Sequence, residues 1–258
     1  MLRPRIIPCL LVHKGGLVKT IGFEQPKYVG DPLNAVRIFN EKEVDELVVL
    51  DIDATREGRE PDYRLIGSLA AECRMPLAYG GGVRTIDQFE RLVSLGVEKV
   101  SVGAAAVRTP ELITEAARRV GSQSVVVVID VKQANGQHKA WTHNGTQPVA
   151  ASPVELARMA QANGAGEIVL NSIDRDGRMQ GYDLDLLRHV RAAVSLPITC
   201  LGGAGSLNDL SGLIQEFGVI GAAAGSLFVF KGKYRAVLIN YPSRADKDAL
   251  VKTARGTA

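Results

Sequence analysis

Short runs of apolar, largely β-branched residues recur along the chain. Between them, apolar positions return every three or four residues. The runs fall at residues 5–11, 46–51, 76–79, 99–102, 124–130, 167–171, 197–201 and 221–224. Several are apolar throughout, as strands covered on both faces are. The stretches between them include 34–43, 86–94, 110–119, 154–163 and 184–193, which carry the period of an amphipathic helix. Eight strands alternating with helices predict an α/β fold, a (β/α)8 TIM barrel, as a single domain over residues 1–258. An open doubly wound sheet is the competing architecture.

An internal repeat favours the barrel. Residues 75–82 (MPLAYGGG) and 96–104 (GVEKVSVGA) are echoed about 120 residues later by 196–205 (LPITCLGGAG) and 218–226 (GVIGAAAGS). Each half reads as strand, glycine loop, helix, strand, glycine turn. A half-barrel repeat has no counterpart in an open sheet. Residues 132–151 contain Asn135-Gly136 and Asn144-Gly145, which predict a hairpin inserted after the fifth strand. The charged tail after Pro242 reads as a frayed final helix.

Composition narrows the field only modestly. Hydrophobic residues make up 46% and charged residues 23%, ordinary for a globular chain, and a net charge of +3 gives no argument for nucleic acid. The apolar run at residues 6–12 is far too short to span a membrane and reads as a buried first strand. Cys9, Cys73 and Cys200 lack metal-ligand spacing, so reduced interior thiols in a cytoplasmic protein are expected, with neither metal nor cofactor.

Barrel chemistry sits at the C-terminal ends of the strands. There the two glycine sites suit phosphate groups, since glycine loops leave backbone N–H groups accessible. Their contributors would be Gly82 and Gly103 in one half, and Gly177, Gly203, Gly225 and Ser226 in the other. The alternative is that these glycines only form tight turns. A phosphorylated small molecule with a phosphate at each end is the expected ligand. Asp130 ends an apolar strand, where an acid is costly to bury without a purpose. It is a candidate acid/base, or else a solvated strand-end carboxylate or a helix cap. Asp176 contacts the ligand or supports that chemistry, or only shapes its loop. Asp51 and Asp53 serve a hydroxyl or the local structure. At the opposite end, Arg5, Glu46, Lys99 and Glu167 stand at the starts of the first, second, fourth and sixth strands. They form either a structural salt-bridge plug or a gate.

Taken together, Arg5-Ile-Ile-Pro-Cys-Leu10, Gly16-Leu-Val-Lys-Thr20, Asp45-Glu-Leu-Val-Val-Leu-Asp51, Tyr79-Gly-Gly-Gly82, the run ending in Asp130, and Ser172-Ile-Asp-Arg-Asp-Gly177 carry a likeness. The chain resembles the cyclase subunit of imidazole glycerol phosphate synthase, the HisF family, from Arg5 to about Phe230. The resemblance implies a glutaminase (HisH-like) partner on the N-terminal face. Ammonia from it would pass the gate of Arg5, Glu46, Lys99 and Glu167, travel past Ser101, and meet a bisphosphorylated nucleotide precursor above. One of the family's two catalytic aspartates matches Asp130, and a lysine of its flexible first loop matches Lys19.

The departures matter as much. The family's other catalytic aspartate falls where this chain has Leu11. Losing a general acid/base group costs roughly 100- to 10,000-fold in rate. An Asn-Thr pair of the first phosphate site is Gly103-Ala104 here, and the usual Thr ending the sixth strand is Asn171. This pattern, with residues 10–12, 25–32 and 224–230, resembles a side branch found with surface-polysaccharide genes. Its members are thought to pass ammonia to a third protein, a sugar amidotransferase. Three functions therefore stand side by side: an ammonia-conducting subunit, an active cyclase of histidine biosynthesis, and a non-catalytic scaffold or activator of the glutaminase.

Overall fold

The computed structural model describes residues 3–255. Eight parallel strands close into a barrel: β1 (Arg5–His13), β2 (Leu47–Asp51), β3 (Leu77–Gly80), β4 (Lys99–Val102), β5 (Val125–Ala134), β6 (Glu167–Ser172), β7 (Ile198–Leu201) and β8 (Gly221–Ala224). Each pairs with the next in the chain, and β8 pairs with β1 to close the ring. The eight expected runs are these strands, shifted at most a few residues at their ends.

Among the described residues, eight helices of eight residues or more flank the strands: α1 (Pro32–Glu41), α2 (Tyr63–Glu72), α3 (Ile86–Ser94), α4 (Glu111–Val120), α5 (Pro153–Ala162), α6 (Leu184–Arg191), α7 (Leu207–Phe217) and α8 (Arg244–Arg255). Local chemistry sets their starts. Asp31 caps α1 by accepting the Asn34 N–H at 2.9 Å, and Pro32 is its first residue. That combination starts the helix two residues before the apolar period does. Ser152 and Glu155 form a reciprocal capping box on α5. Ser243 caps α8 in the same way with Asp246. The tail is therefore a capped helix packed against α7, with Leu250 buried, where fraying was expected.

Inward and outward strand residues build two separate cores. The outer one lies between sheet and helices and includes Phe39, Phe89 and Phe228. The inner one fills the barrel with Ile7, Cys9, Val48, Ala78, Val126, Val169, Leu201 and Ala223, joined by Leu11, Leu50 and Val128. This alternation follows from the period of two along a strand.

Two hairpins rise over the C-terminal end. Residues Gln137–Thr142 pair antiparallel with the end of β5 through an Asn135-Gly136 turn, both at positive φ. This is the insertion its Asn-Gly signal predicts. The other, Gly16–Ile21 with Glu24–Gly30, pairs with β1 in a segment whose sequence suggested only a loop. Its second strand is exposed over most of its length and polar, so no alternation marks it.

Candidate functional site at the barrel mouth

The N-terminal end of the barrel is closed by ion pairs. Arg5 bonds Glu46 through Nη1, and through Nη2 reaches Glu167 at 2.6 Å. Lys99 Nζ lies 2.8 Å from Glu46 and 2.9 Å from Glu167. Each cation thus touches both anions, and each anion both cations. Thr199, absent from the sequence reading, donates its hydroxyl to Glu167 from the start of β7. Burial pushes the Glu167 carboxyl up, but the Arg5 and Lys99 charges and the Thr199 hydroxyl more than offset it, leaving it below its ordinary value. Arg5 sits above its own for the reciprocal reason: burial lowers it and the two glutamates raise it further.

The C-terminal mouth is a pocket lined by both hairpins and by residues of all eight barrel strands. Leu11, Leu50, Val128 and Leu201 form an apolar floor. Around that floor stand Asp130, Asn171, Lys19 and Asp176, with Ser101 on the wall. Strand register sets Asp130 beside Asn171, whose Nδ2 donates to its Oδ1 at 2.8 Å. Burial raises the Asp130 carboxyl to about 6; the Asn171 amide opposes this and the nearby Asp176 charge adds to it. A carboxyl poised there can exchange protons near neutral pH.

Asp176 is the latch of the first hairpin. Its Oδ2 accepts the Thr20 hydroxyl at 2.6 Å and the Phe23 N–H at 3.2 Å, and its carbonyl accepts the Gly22 N–H. Burial raises its carboxyl, against those hydrogen bonds. A Cβ on Gly177 would sit 2.0 Å from the Thr20 carbonyl oxygen, so glycine is required for the hairpin to close down.

Lys19 is turned into the barrel. Its Nζ donates to the Cys9 carbonyl at 2.5 Å, and a Cβ on Gly225 would lie 2.7 Å from it. Burial lowers its ammonium from the ordinary value, with the negative neighbours opposing. Gly177, Gly203, Gly225 and Ser226 line the same pocket.

Gly82 stands apart from that half. It lines an adjoining pocket with Gly103, where the Gly82 N–H is already given to Thr55 Oγ1 at 3.1 Å. Arg59, Arg84 and Arg108 line this pocket as well. Arginines are strong phosphate ligands. They come from the segments after β2, β3 and β4, the last at the end of a short helix, Ala104–Arg108, and no sequence spacing links them. Asp51 accepts the N–H groups of Asp53 and Ala54 and also lines the mouth, while Asp53 holds His13 at 2.8 Å and accepts the Lys14 N–H.

The inserted hairpin supplies what sequence reasoning missed. Trp141 pairs in register with Asp130, and its indole N–H is buried without a partner. His143 and Asn144 line the mouth, and the Asn144 amide ties the turn after Thr142 to the Ile52 carbonyl. All three cysteines are free; Cys73 is only half-buried rather than interior. Burial raises Cys9 and Cys73 to about 11 and Cys200 higher still, so none is a poised nucleophile. Among the described residues no helix is long and apolar enough to cross a membrane.

A family model described as "histidine biosynthesis protein" matches residues 5–235. The chain belongs to the histidine biosynthesis protein family. Within that family it is 58% identical over 252 residues to a putative imidazole glycerol phosphate synthase subunit HisF from Leptospira interrogans, covering 97% of this chain and 99% of the relative. It is 53% identical over 243 residues to a putative subunit hisF2 from Pseudomonas aeruginosa, covering 94% and 97%. An imidazole glycerol phosphate synthase subunit HisF from Alkaliphilus metalliredigens is 40% identical over 229 residues, covering 88% and 91%. The histidine biosynthesis barrel here is thus HisF-like over nearly its whole length.

Proposed function

We propose that this barrel is the ammonia-conducting subunit of a glutamine amidotransferase complex. A HisH-like glutaminase would dock on the N-terminal face, and the ammonia would go to the amidation of a nucleotide-linked surface sugar by a third protein. The observation that carries the reading is the contrast between the two ends. The four-charge ring is complete, while Leu11 forms apolar floor where the family places an acid. A neutral solute crossing the ring would enter the apolar core between Ile7 and Leu201. Ammonia tolerates such a lining better than ammonium does. Ser101, on β4 above Lys99, faces that route.

The identity pattern supports the side branch. The relatives named putative subunits match at 53–58%, and those named without that word at 40–41%. In this reading Asp130, Asp176 and Lys19, with the glycine cradles at Gly203, Gly225 and Ser226, hold a phosphorylated ligand or shape the exit. The test is reconstitution with a HisH-like glutaminase. A stoichiometric complex is expected, and a bulky Ser101→Phe change should uncouple glutamine hydrolysis from product formation. Failure to associate with the glutaminase would refute the proposal. If Ser101→Phe leaves coupling intact, the scaffold reading takes its place.

One observation favours the second reading, an active cyclase of histidine biosynthesis. Asp130 retains a carboxyl near pH 6 beside Lys19 and Asp176. Complementation of a histidine auxotroph decides it: growth supports the cyclase, and no growth with folded protein present excludes it.

A further inference from the structure

We infer that His138, Asp185 and His189 form a binding site for a divalent transition ion of the zinc class, one that staples the inserted hairpin to helix α6. One ligand atom from each side chain lies within 4.8 Å of the other two. Ligand atoms around a tetrahedral zinc stand about 3.3 Å apart, from metal–nitrogen distances of about 2.0–2.1 Å. Asp185 and His189 are 67% and 63% exposed, so their side chains are free to close that gap.

The topology makes this juxtaposition. Asp185 and His189 stand one helical turn apart on α6 and share a face. His138 comes from the hairpin strand after β5 and is largely buried. No spacing along the chain joins it to the other two, and for that reason the sequence suggested no metal.

Hydrogen bonds already orient both imidazoles as ligands. His138 Nε2 lies 3.1 Å from Asp183 Oδ2, and the Gln133 side-chain amide reaches the same nitrogen at 2.8 Å. Pairing with the carboxylate calls for the Nε2–H tautomer, in which the Gln133 amide turns its oxygen rather than its nitrogen toward that edge and Nδ1 carries the lone pair. His189 Nδ1 lies 2.8 Å from the Asp185 carbonyl oxygen, which leaves Nε2 as its lone-pair nitrogen. A carboxylate or carbonyl on the far nitrogen is how metal-ligating histidines are held. Asp183 is itself rigid, since its other oxygen caps α6 through the Leu186 N–H.

Two imidazoles and one carboxylate suit zinc, copper, nickel or iron(II). Calcium and magnesium prefer all-oxygen sets. Water would fill the open positions. The consequence reaches the mouth. The hairpin carries Trp141, His143 and Asn144, and its Gln133 N–H is bound to Asp174 Oδ2 at 2.6 Å, two residues before the Asp176 latch. An ion at this point would stiffen that wall.

The test uses the untagged full chain, stripped with a chelator and titrated calorimetrically with Zn2+. One ion per chain is expected. Co2+ should give the visible absorption of a low-symmetry nitrogen–oxygen site. His138→Gln and His189→Gln should each weaken Zn2+ binding by about tenfold or more, and Asp183→Asn, which keeps the helix cap, by about 10- to 100-fold. Zn2+ should slow hydrogen exchange across residues 137–142 in the native chain and not in His189→Gln. Absence of Zn2+ binding would overturn the inference, as would binding that both histidine variants leave unchanged, which would place the ion elsewhere. Equal hydrogen-exchange protection by Mg2+ would overturn the ligand class.

Discussion

The two ends of this barrel handle buried charge in opposite ways. At the strand starts, two cations and two anions satisfy one another in a closed ring, and Glu167 is held below its ordinary carboxyl value. At the strand ends, Asp130 is half-buried at the mouth and faces one amide over an apolar floor, and its carboxyl rises to about 6. The same fold and the same functional group, a carboxyl, thus give a permanent charge at one end and a protonatable group at the other. Burial raises both carboxyls; the cations of the ring reverse that at Glu167, and a single amide does not reverse it at Asp130.

The strongest way to break this comparison is to remove one ring member. Lys99→Met leaves Glu46 and Glu167 sharing Arg5 alone. Stranding a buried charge costs about 3–5 kcal/mol. Urea unfolding should show a loss of that size; a loss below about 1 kcal/mol would class the ring with surface pairs.

Asp130→Asn should act the other way. The folded chain holds the Asp130 proton more tightly than the unfolded chain does, so stability from this group falls as pH rises from about 4 to about 6, and the penalty is complete above that. The rise from 3.8 to about 6 corresponds to a ceiling of about 3 kcal/mol. The variant is expected to be more stable than the native chain by about 1–3 kcal/mol at about pH 8, and nearly equal to it near pH 4. Equal stability at both pH values would mean that the native carboxyl is better solvated than its surroundings imply.

The smallest effect sharpens the contrast. Arg188 on α6 meets Glu216 on α7 through two hydrogen bonds at 2.6 and 3.0 Å, with Arg188 more than half exposed. Arg188→Ala should leave the urea midpoint nearly unchanged in the same unfolding experiment, since an exposed pair is screened by solvent. A ring variant and this one giving similar losses would show that burial adds nothing to the ring.

What the sequence made legible follows the range of each signal. The ring was readable because four charged residues mark four strand starts, and barrel closure alone brings them together. Asp130 was readable because an acid ended an apolar strand. The Asn135-Gly136 hairpin carried its own turn signature. The hairpin around Lys19 did not, since its outer strand is polar and its register depends on the Asp176 latch across the mouth. Trp141, the arginines near Gly82, and the His138–Asp185–His189 cluster were also hidden. Each depends on segments far apart in sequence that meet only in three dimensions.

The central claim is that the charged ring serves transport while the mouth, with Leu11 as floor, has lost the family's own cyclisation. It is tested most directly by cyclase turnover with an ammonium salt and the family's bisphosphorylated precursor, for the native chain and for Leu11→Asp. Ammonium removes any need for the glutaminase. The account predicts no turnover by the native chain, with or without recovery in Leu11→Asp. Turnover by the native chain would contradict it, because Asp130 would then suffice for the chemistry without a partner acid at position 11.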